Sequence, residues 1–155
     1  MKNDSPDQWI KHDPQTVTTL IDRHFPQLRE ALGNYSIEQL DQESATVRLP
    51  VEHKNIRPGG TISGPTMFGL ADVAAWIVII NEHGPAAIRS VTSSMTINFL
   101  ARPEPTDLVC HASALRLGRR LAVIDCRILS AGNSAMVAQA TCNYAMPQQS
   151  THMII

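Results

Sequence analysis

One carboxylate stands alone in the most apolar stretch of the sequence. Asp72 is the only charged residue between Arg57 and Glu82. An ionised acid is costly to bury unless it is hydrogen-bonded or neutralised, so a functional role is the simplest explanation for its presence. The alternative is a buried acid that local backbone donors satisfy.

A Gly64-Pro65 pair marks the start of the helix that carries this acid. Proline at the first helical position loses nothing by lacking an N–H, so we expect the helix to begin there. Asp72 follows seven residues after Pro65, about two turns along and near the same azimuth. The carboxylate therefore faces the free backbone donors of a helix N-terminus across about the width of a substrate. We interpret this arrangement as a site.

An amphipathic helix is predicted ahead of this region. Asp13 can serve as its N-cap, and apolar residues recur at three-to-four spacing over residues 15–32. Pro26 predicts a kink or a break, and Gly33 predicts the end. The central apolar helix is predicted over residues 65–81.

Alternation of apolar and polar residues predicts six strands. They cover residues 35–40, 45–50, 88–100, 108–117, 121–130 and 135–144. The first two predict a hairpin and the last four a meander. In the third strand, alternation places Thr92, Ser94 and Thr96 on one side. A helix that is apolar on nearly every side must be wrapped, and the simplest solution is an α+β fold with an antiparallel sheet around it.

Composition indicates one compact, soluble domain. The chain has 155 residues, of which 43% are apolar, enough for a full core. We expect a polar tail and helix at 1–33, the main domain at 34–146 and a C-terminal tail at 147–155. The net charge of −1 gives no field that would recruit nucleic acid or an acidic membrane, so neither is an expected partner. The polar start of the sequence lacks a secretory signal pattern, and we expect a cytoplasmic protein.

Residue spacing disfavours several other kinds of site. Six histidines show no ligand spacing, so no metal is expected, and neither a phosphate loop nor a Gly-x-Ser-x-Gly motif occurs. Cys110, Cys126 and Cys142 lie in strand-like segments and are expected to be buried small hydrophobes rather than disulfides. The apolar run around Asp72 approaches membrane length, but its acid, glycines and proline favour a buried core helix.

Three motifs occur in an order and spacing that resemble a known family. They are Asn55, Gly60, Ser63-Gly64-Pro65 and Leu70-Ala71-Asp72; then Asn98-Phe99-Leu100-Ala101-Arg102-Pro103; and then Gly118-Arg119-Arg120. Together, over residues 35–146, they resemble the PaaI-type acyl-CoA thioesterases. The resemblance implies the hotdog fold, an α+β arrangement in which an antiparallel sheet wraps around one long central helix.

In that family the matched acid is catalytic. The resemblance implies that Asp72 acts as nucleophile or as general base for water, and that the Gly64 N–H polarises the thioester carbonyl. Asn55 matches an asparagine that holds the reacting carbonyl or water; alternatively it caps a turn. Ser63 stands where the family usually has histidine, and it either replaces that ring in part or only caps the helix.

The resemblance also implies a coenzyme A site, with CoA as part of the substrate and no other cofactor. Arg102, Arg119 and Arg120, with Gly118 in the same last motif, match positions that hold the nucleotide phosphates. The alternative for the arginines is a set of solvated turn charges. Ser94 lies on a strand where relatives often keep a hydroxyl or acid that orients water.

Three functions fit the resemblance. The first is hydrolysis of an acyl-CoA at a homodimer interface, with Asp72 from one chain and N–H donors from the other; such dimers often pair into tetramers. The second is a non-catalytic hotdog protein that binds acyl-CoA or a related ligand. The third, a hydratase or dehydratase, ranks last because no histidine follows Asp72 until His83. Met67, Phe68 and Trp76 suggest an apolar tunnel for the acyl group, unless they pack against the sheet.

Overall fold

A computed structural model of the chain describes residues 9–148; the ends of both predicted tails, at 1–8 and 149–155, lie outside the described residues. In chain order the helices and strands are α1 (Pro14–His24), α2 (Leu28–Leu32), β1 (Ser36–Asp41), β2 (Ser44–Leu49), α3 (Gly64–His83), β3 (Val91–Phe99), β4 (Leu108–Leu117), β5 (Leu121–Ser130) and β6 (Met136–Ala145). Short 3-10 turns precede α3 and β3, at His53–Asn55 and Pro85–Arg89.

All six strands form one antiparallel sheet in the order β1-β2-β4-β5-β6-β3. The long helix α3 packs on one face of this sheet and contacts β2, β3, β4, β5 and β6. The predicted α+β hotdog architecture, with a sheet around one central helix, is therefore confirmed.

The N-terminal helix begins and breaks where the sequence predicts. The Asp13 carboxylate caps α1 by accepting a hydrogen bond from the Thr16 backbone N–H at 3.0 Å. The chain breaks around Pro26, because proline cannot continue the helical hydrogen bonds, and α2 follows. Gly33, with a φ of 128°, then ends α2.

Helix α3 begins one residue before its predicted start. Ser63 caps it, Pro65 lies in its first turn, and Gly84 ends it with a φ of 80°. The helix is long and apolar enough to cross a membrane, but 67% of its most apolar window is buried inside the molecule. Most of its apolar side chains are fully buried, and each such side chain contributes about 1.5–3 kcal/mol to folding.

Strand β3 lies at the edge of the sheet, next to β6 and not next to β4. The prediction of a four-strand meander is therefore wrong, since only β4, β5 and β6 follow one another. After β3 the chain passes through residues 100–107 before it enters β4 between β2 and β5. Alternation identifies strands without choosing their neighbours, and sequential strands are adjacent only about two-thirds of the time. The outer edge of β3 has no strand partner within residues 9–148, which leaves its backbone groups free to pair with another strand.

One extra residue in β3, Ser93, breaks the alternation of that strand. Thr92 and Ser94 pair with consecutive residues of β6, Tyr144 and Asn143. Consecutive strand residues point to opposite faces, so Thr92 faces α3 and Ser94 faces away from it. The prediction that these two residues share a side is therefore wrong, and the cause is a β-bulge.

The three cysteines are free and buried, as predicted. They lie on the inner face of β4, β5 and β6, and the Cys126 thiol donates to the Ala71 carbonyl at 3.4 Å. A hydrogen bond from Cys126 and burial raise the pKa of Cys142 well above its usual range. The thiols therefore behave as neutral packing groups beneath the middle of α3.

Candidate functional site

Asp72 is held by hydroxyl groups from two strands. Its Oδ1 accepts hydrogen bonds from Thr92 Oγ1 at 2.7 Å and from Tyr144 Oη at 2.5 Å. Tyr144 also donates to the backbone carbonyl of Asp72 at 2.7 Å. An ionised carboxylate can only accept, and these partners both donate. The acid is thus satisfied by side chains from β3 and β6, not by local backbone donors, and within residues 9–148 nothing donates to its Oδ2.

Tyr144 stays a neutral donor at this position. Burial, followed by the negative charge of Asp72, raises the pKa of the Tyr144 hydroxyl well above its usual value. The ring lies on the inner face of β6 and is buried, which fixes its hydroxyl beneath α3. The Asp72–Tyr144 hydrogen bond therefore ties the central helix to the sheet at the candidate acid.

The start of α3 carries an open backbone donor. Ser63 Oγ accepts from the Thr66 backbone N–H at 3.3 Å and lies 2.8 Å from Thr66 Oγ1. Pro65 has no N–H, so Gly64 is left as the first-turn amide without a partner among the described residues. The Phe99 ring packs against Gly64, where an added Cβ would stand 3.4 Å from the ring.

Asp72 and Gly64 are too far apart to act on one carbonyl group within a single chain. Eight residues at 1.5 Å per residue separate them by about 12 Å along the helix axis. A reacting carbonyl must lie about 3 Å from both its attacking group and its hydrogen-bond donor. One chain therefore contains both the expected acid, Asp72, and the expected N–H donor, Gly64, but does not bring them together.

Asn55 is buried, with 3% of its surface exposed, and its side chain is fully engaged within the chain. Its Oδ1 accepts from the Glu52 backbone N–H at 3.0 Å. Its Nδ2 donates to the Leu32 carbonyl at 3.2 Å and to Thr66 Oγ1 at 3.3 Å. The Asn55 carbonyl also accepts from the Ser63 N–H at 2.8 Å. Asn55 thus links α2 and the preceding loop to the start of α3, in addition to capping a turn.

Two predicted site residues lie away from Asp72. Ser94 faces the outer side of the sheet, where its Oγ accepts from Asn143 Nδ2 at 2.9 Å. Arg102 follows β3 beside Pro103, whose carbonyl accepts from the Ile62 N–H at 3.3 Å. Arg102 therefore lies near the Gly64 end of α3.

A cavity of about 1080 Å³ opens beside Asp72. Its other walls include Phe25, Leu28, Val73, Trp76 and Ile88, with Thr92 and Tyr144 next to the acid. This volume is large enough for a drug-sized ligand, and the lining is mostly apolar with a few convergent polar groups, as in small-molecule sites.

A second cavity, of about 560 Å³, adjoins the first and is positively charged. Exposed Arg119 and Arg120 line it together with His83. Both cavities share the wall formed by Ala86, Pro147 and Gln148. Arg119 and Arg120, two of the three arginines predicted to bind phosphate, thus lie next to the cavity that contains Asp72.

Gly118 has a structural reason to be glycine. It is in the tight turn between β4 and β5, where its N–H donates to the Leu121 carbonyl at 2.9 Å. A Cβ at this position would lie 2.8 Å from that carbonyl oxygen. The glycine therefore lets the turn present Arg119 and Arg120 beside the second cavity.

Sequence reasoning missed two residues of the site, Thr92 and Tyr144. A signal for Tyr144 was present, because alternation places it on the same face of β6 as Cys142, which was expected to be buried. Thr92 could not be assigned, because the bulge at Ser93 reverses its relation to Ser94. Within residues 9–148, histidine, cysteine and carboxylate side chains form no cluster of three that could hold a metal ion.

The model of the thioesterase superfamily matches residues 59–144, which include α3 and strands β3 to β6. The chain belongs to the thioesterase superfamily. Membership supports thioester hydrolysis as the general class of reaction. A comparison with curated proteins gave no match.

Solved structures of other superfamily proteins are similar to this one. A candidate thioesterase from Silicibacter sp. TM1040 is 36% identical, with 91% of this chain and 95% of that chain covered and a TM-score of 0.78. A thioesterase from Haemophilus influenzae is 16% identical over 91% of this chain and 95% of that one, with a TM-score of 0.75. A hypothetical thioesterase from Streptococcus pneumoniae, solved with coenzyme A, is 23% identical over 84% and 99%, with a TM-score of 0.72. The last two likenesses concern the fold alone.

Proposed function

We propose that the protein hydrolyses acyl-CoA thioesters to a free acid and CoA, as a PaaI-type member of its superfamily. The observation that carries the proposal is Asp72, which lines the apolar cavity; hydroxyls hold its Oδ1, and nothing within residues 9–148 donates to its Oδ2. The thioester carbonyl would lie at this acid, with the acyl group in the cavity. The neighbouring cavity with Arg119 and Arg120 would take the phosphates of CoA.

Structural neighbours give this choice of substrate some support. The Streptococcus pneumoniae protein was solved with coenzyme A, and a Streptococcus mutans protein, 22% identical with a TM-score of 0.66, was solved with acetyl-CoA. Guanidinium groups bind phosphate through two parallel hydrogen bonds, so adjacent arginines suit a nucleotide diphosphate. Arg102, at the opposite end of α3, would reach the same ligand only from a second subunit.

The chemistry needs few groups. In the general-base form, Asp72 Oδ2 takes a proton from water while the water oxygen attacks the thioester carbonyl carbon. The carbonyl oxygen gains negative charge and is stabilised by the Gly64 N–H at the positive end of a helix dipole. The C–S bond then breaks, the acid is released, and the CoA thiolate takes up a proton. In the nucleophilic form, Oδ2 attacks the carbonyl carbon and the C–S bond breaks, so that the CoA thiolate leaves and takes up a proton; water then hydrolyses the resulting anhydride to the free acid and the Asp72 carboxylate.

A homodimer would complete this arrangement. Within one chain about 12 Å separates Gly64 from Asp72 along α3. Pairing two copies through the free edge of β3 by a two-fold axis would set their helices antiparallel. Asp72 of one protomer could then face Gly64 of the other. Exposed apolar residues at this edge, Val91 and Phe99, fit burial in such an interface.

One observation favours a second function, non-catalytic binding of acyl-CoA. The Ser63 hydroxyl, at the position where the family usually has histidine, is engaged with Thr66 and leaves no ring to hold the thioester. A protein that has lost this group could still hold CoA through its arginines.

Thiol release from a panel of acyl-CoAs, compared between wild type and Asp72→Asn, separates these functions. Hydrolysis that falls about 10²–10⁴-fold in Asp72→Asn, with CoA affinity unchanged by calorimetry, supports the enzyme. Calorimetric binding of acyl-CoA without thiol release by wild type supports the binding protein. Equal hydrolysis by both proteins would contradict the role of Asp72.

A further inference from the structure

The N-terminal segment supplies one wall of the cavity beside Asp72. Phe25 and Leu28, which flank the break at Pro26, line the cavity opposite α3. The Phe25 ring meets Trp76 of α3 edge to face, with centroids 6.3 Å apart and an interplanar angle of 87°. Aromatic pairs prefer this geometry, so the contact holds the two walls together. The break at Pro26 is what frees Phe25 from α1 and lets its ring reach α3.

Besides Asp72 and Tyr144, the ionisable residues within 9–148 that line this cavity are His24 and Arg89, and both are exposed to water. The buried residues among its walls are Leu28, Val73 and Ser90, whose hydroxyl donates to the Ala87 carbonyl, together with Tyr144, which is engaged on Asp72. A charged end of a ligand packed against Phe25, Leu28 and Trp76 would therefore lose hydration to apolar side chains that offer no opposite charge.

We propose that Phe25 and Trp76 form the specificity-determining wall of the acyl site, and that the site selects an uncharged, medium-chain acyl group. This inference rests on the proposed hydrolysis of acyl-CoA and adds the class of acyl group. A cavity near 1000 Å³ encloses a drug-sized ligand, so after the pantetheine arm enters it has room for about six to ten acyl carbons. Phe25 and Trp76 together form the wall that limits longer chains.

The preference for longer acyl chains has an expected magnitude in kcat/KM. Burial of one methylene group contributes about 0.8 kcal/mol, which corresponds to a factor of about four in kcat/KM for each added carbon. The increase should continue until the acyl chain reaches Phe25 and then stop. A smaller side chain at this position moves that limit to longer chains, and a larger one moves it to shorter chains.

The test measures kcat/KM for saturated acyl-CoAs of two to fourteen carbons and for succinyl-CoA. Wild type is compared with Phe25→Ala, Phe25→Trp and the control Leu115→Ala. Leu115 is also a large exposed apolar residue (66% exposed), but it lies on β4 outside the cavity. Phe25 is 37% exposed, so its replacement should leave the fold intact, which thermal unfolding of each variant verifies.

The proposal expects an optimum at about six to ten carbons in wild type and in Leu115→Ala. The optimum should move by about two to four carbons to longer chains in Phe25→Ala, because the lost ring leaves space, and to shorter chains in Phe25→Trp. A best substrate of acetyl-CoA or succinyl-CoA would overturn the proposal. So would an optimum that stays in place in both Phe25 variants.

A binding measurement separates failure of this wall from failure of the proposed function. S-alkyl-CoA thioethers cannot be hydrolysed, and calorimetry gives their affinity for wild type and the Phe25 variants. Affinity that rises with chain length and shifts with Phe25 supports the acyl wall, even where thiol release shows no hydrolysis. If thiol release is observed but thioether affinity depends on neither the chain length nor the Phe25 substitutions, the hydrolase function is retained and the acyl wall is rejected.

Discussion

The two ends of the proposed machinery are built in different ways, although both lie on α3. At Asp72 the side chain depends on long-range partners from β3 and β6, one carboxylate oxygen has no donor among residues 9–148, and a cavity lies beside it. At the helix start, Asn55, Ser63 and Thr66 satisfy one another, and within the part of the chain that the structure describes the Gly64 amide is left open. The first region is arranged to react, whereas the second is arranged to hold one backbone N–H in place.

Removal of the Gly64 N–H should give the largest effect, and it tests whether the helix start contributes only this one donor. Gly64→Pro deletes the N–H, and proline is well tolerated in the first helical turn. Ser63 already has the extended ψ of 150° that a residue before proline requires. We expect kcat for thioester hydrolysis to fall about 10²–10³-fold. Because Pro65 follows, a proline at position 64 is also restricted in the helical conformation, and thermal unfolding measures the cost in stability.

Gly64→Ala is the matched control for this variant. It retains the N–H and adds a Cβ at ordinary contact distance from the Phe99 ring. Its kcat should therefore stay close to that of wild type. Equal losses in both variants would show that space at this position matters and the amide does not.

Recovery of activity by mixing two inactive variants tests whether the ends meet across a dimer. A mixed dimer of Asp72→Asn and Gly64→Pro has one site with both changes and one site with neither. Random pairing should restore about a quarter of wild-type activity after the two chains are unfolded and refolded together. If both groups acted within one chain, the mixture would stay as inactive as its components.

Asn55→Ala should lower stability and leave the chemistry at Asp72 in place. The substitution leaves the part-buried Glu52 N–H and the buried Leu32 carbonyl without these partners, at a cost of about 1–3 kcal/mol in the free energy of unfolding. Urea unfolding measures this change. Asn133→Ala, which removes an exposed turn hydrogen bond to the Ala135 N–H, is the control and should cost less.

The smallest predicted effect is a loss of stability in alkali. Burial raises the pKa of Tyr35 to about 12, and burial with the charge of Asp72 raises the pKa of Tyr144 further. Both hydroxyls therefore keep their protons in the folded chain at a pH where the unfolded chain loses them. Their stabilisation is complete below about pH 10 and is lost progressively as the pH rises above it.

Tyrosinate absorbance measures this effect directly, because the sequence has only two tyrosines. The absorbance should appear together with unfolding, and the Tyr35→Phe, Tyr144→Phe double variant should show a flatter loss of stability above pH 10. Titration of both rings near pH 10 in a chain that keeps its native circular dichroism would refute the prediction.

Local features of the sequence predicted the fold and the position of Asp72 on the central helix well. A cap, a proline and an unbroken apolar run fixed the bounds of α3 to within a few residues, and Asp72 stood out by its charge alone. The order of the strands was beyond local reasoning, because the position of β3 depends on pairing with β6 across more than forty residues of sequence.

The partners of the acid were harder to predict for the same reason. Tyr144 is seventy-two residues from Asp72 in sequence, and only the register of β6 under α3 brings them together. Thr92 was obscured by the bulge at Ser93, which strict alternation cannot anticipate. The role of Asn55 as a link between α2 and α3 likewise depends on contacts across the fold.

The bulge at Ser93 also makes β3 tolerant of one particular change in length. Deleting Ser93 would make Thr92 and Ser94 consecutive, and consecutive strand residues point to opposite faces, as these two already do. Thr92 would therefore keep its place beside Asp72, and Ser94 its place on the outer side of the sheet. Deleting a regularly paired residue such as Met95 would instead exchange inner for outer positions on one side of the deletion, so within β3 the strand accepts a shorter chain best at Ser93.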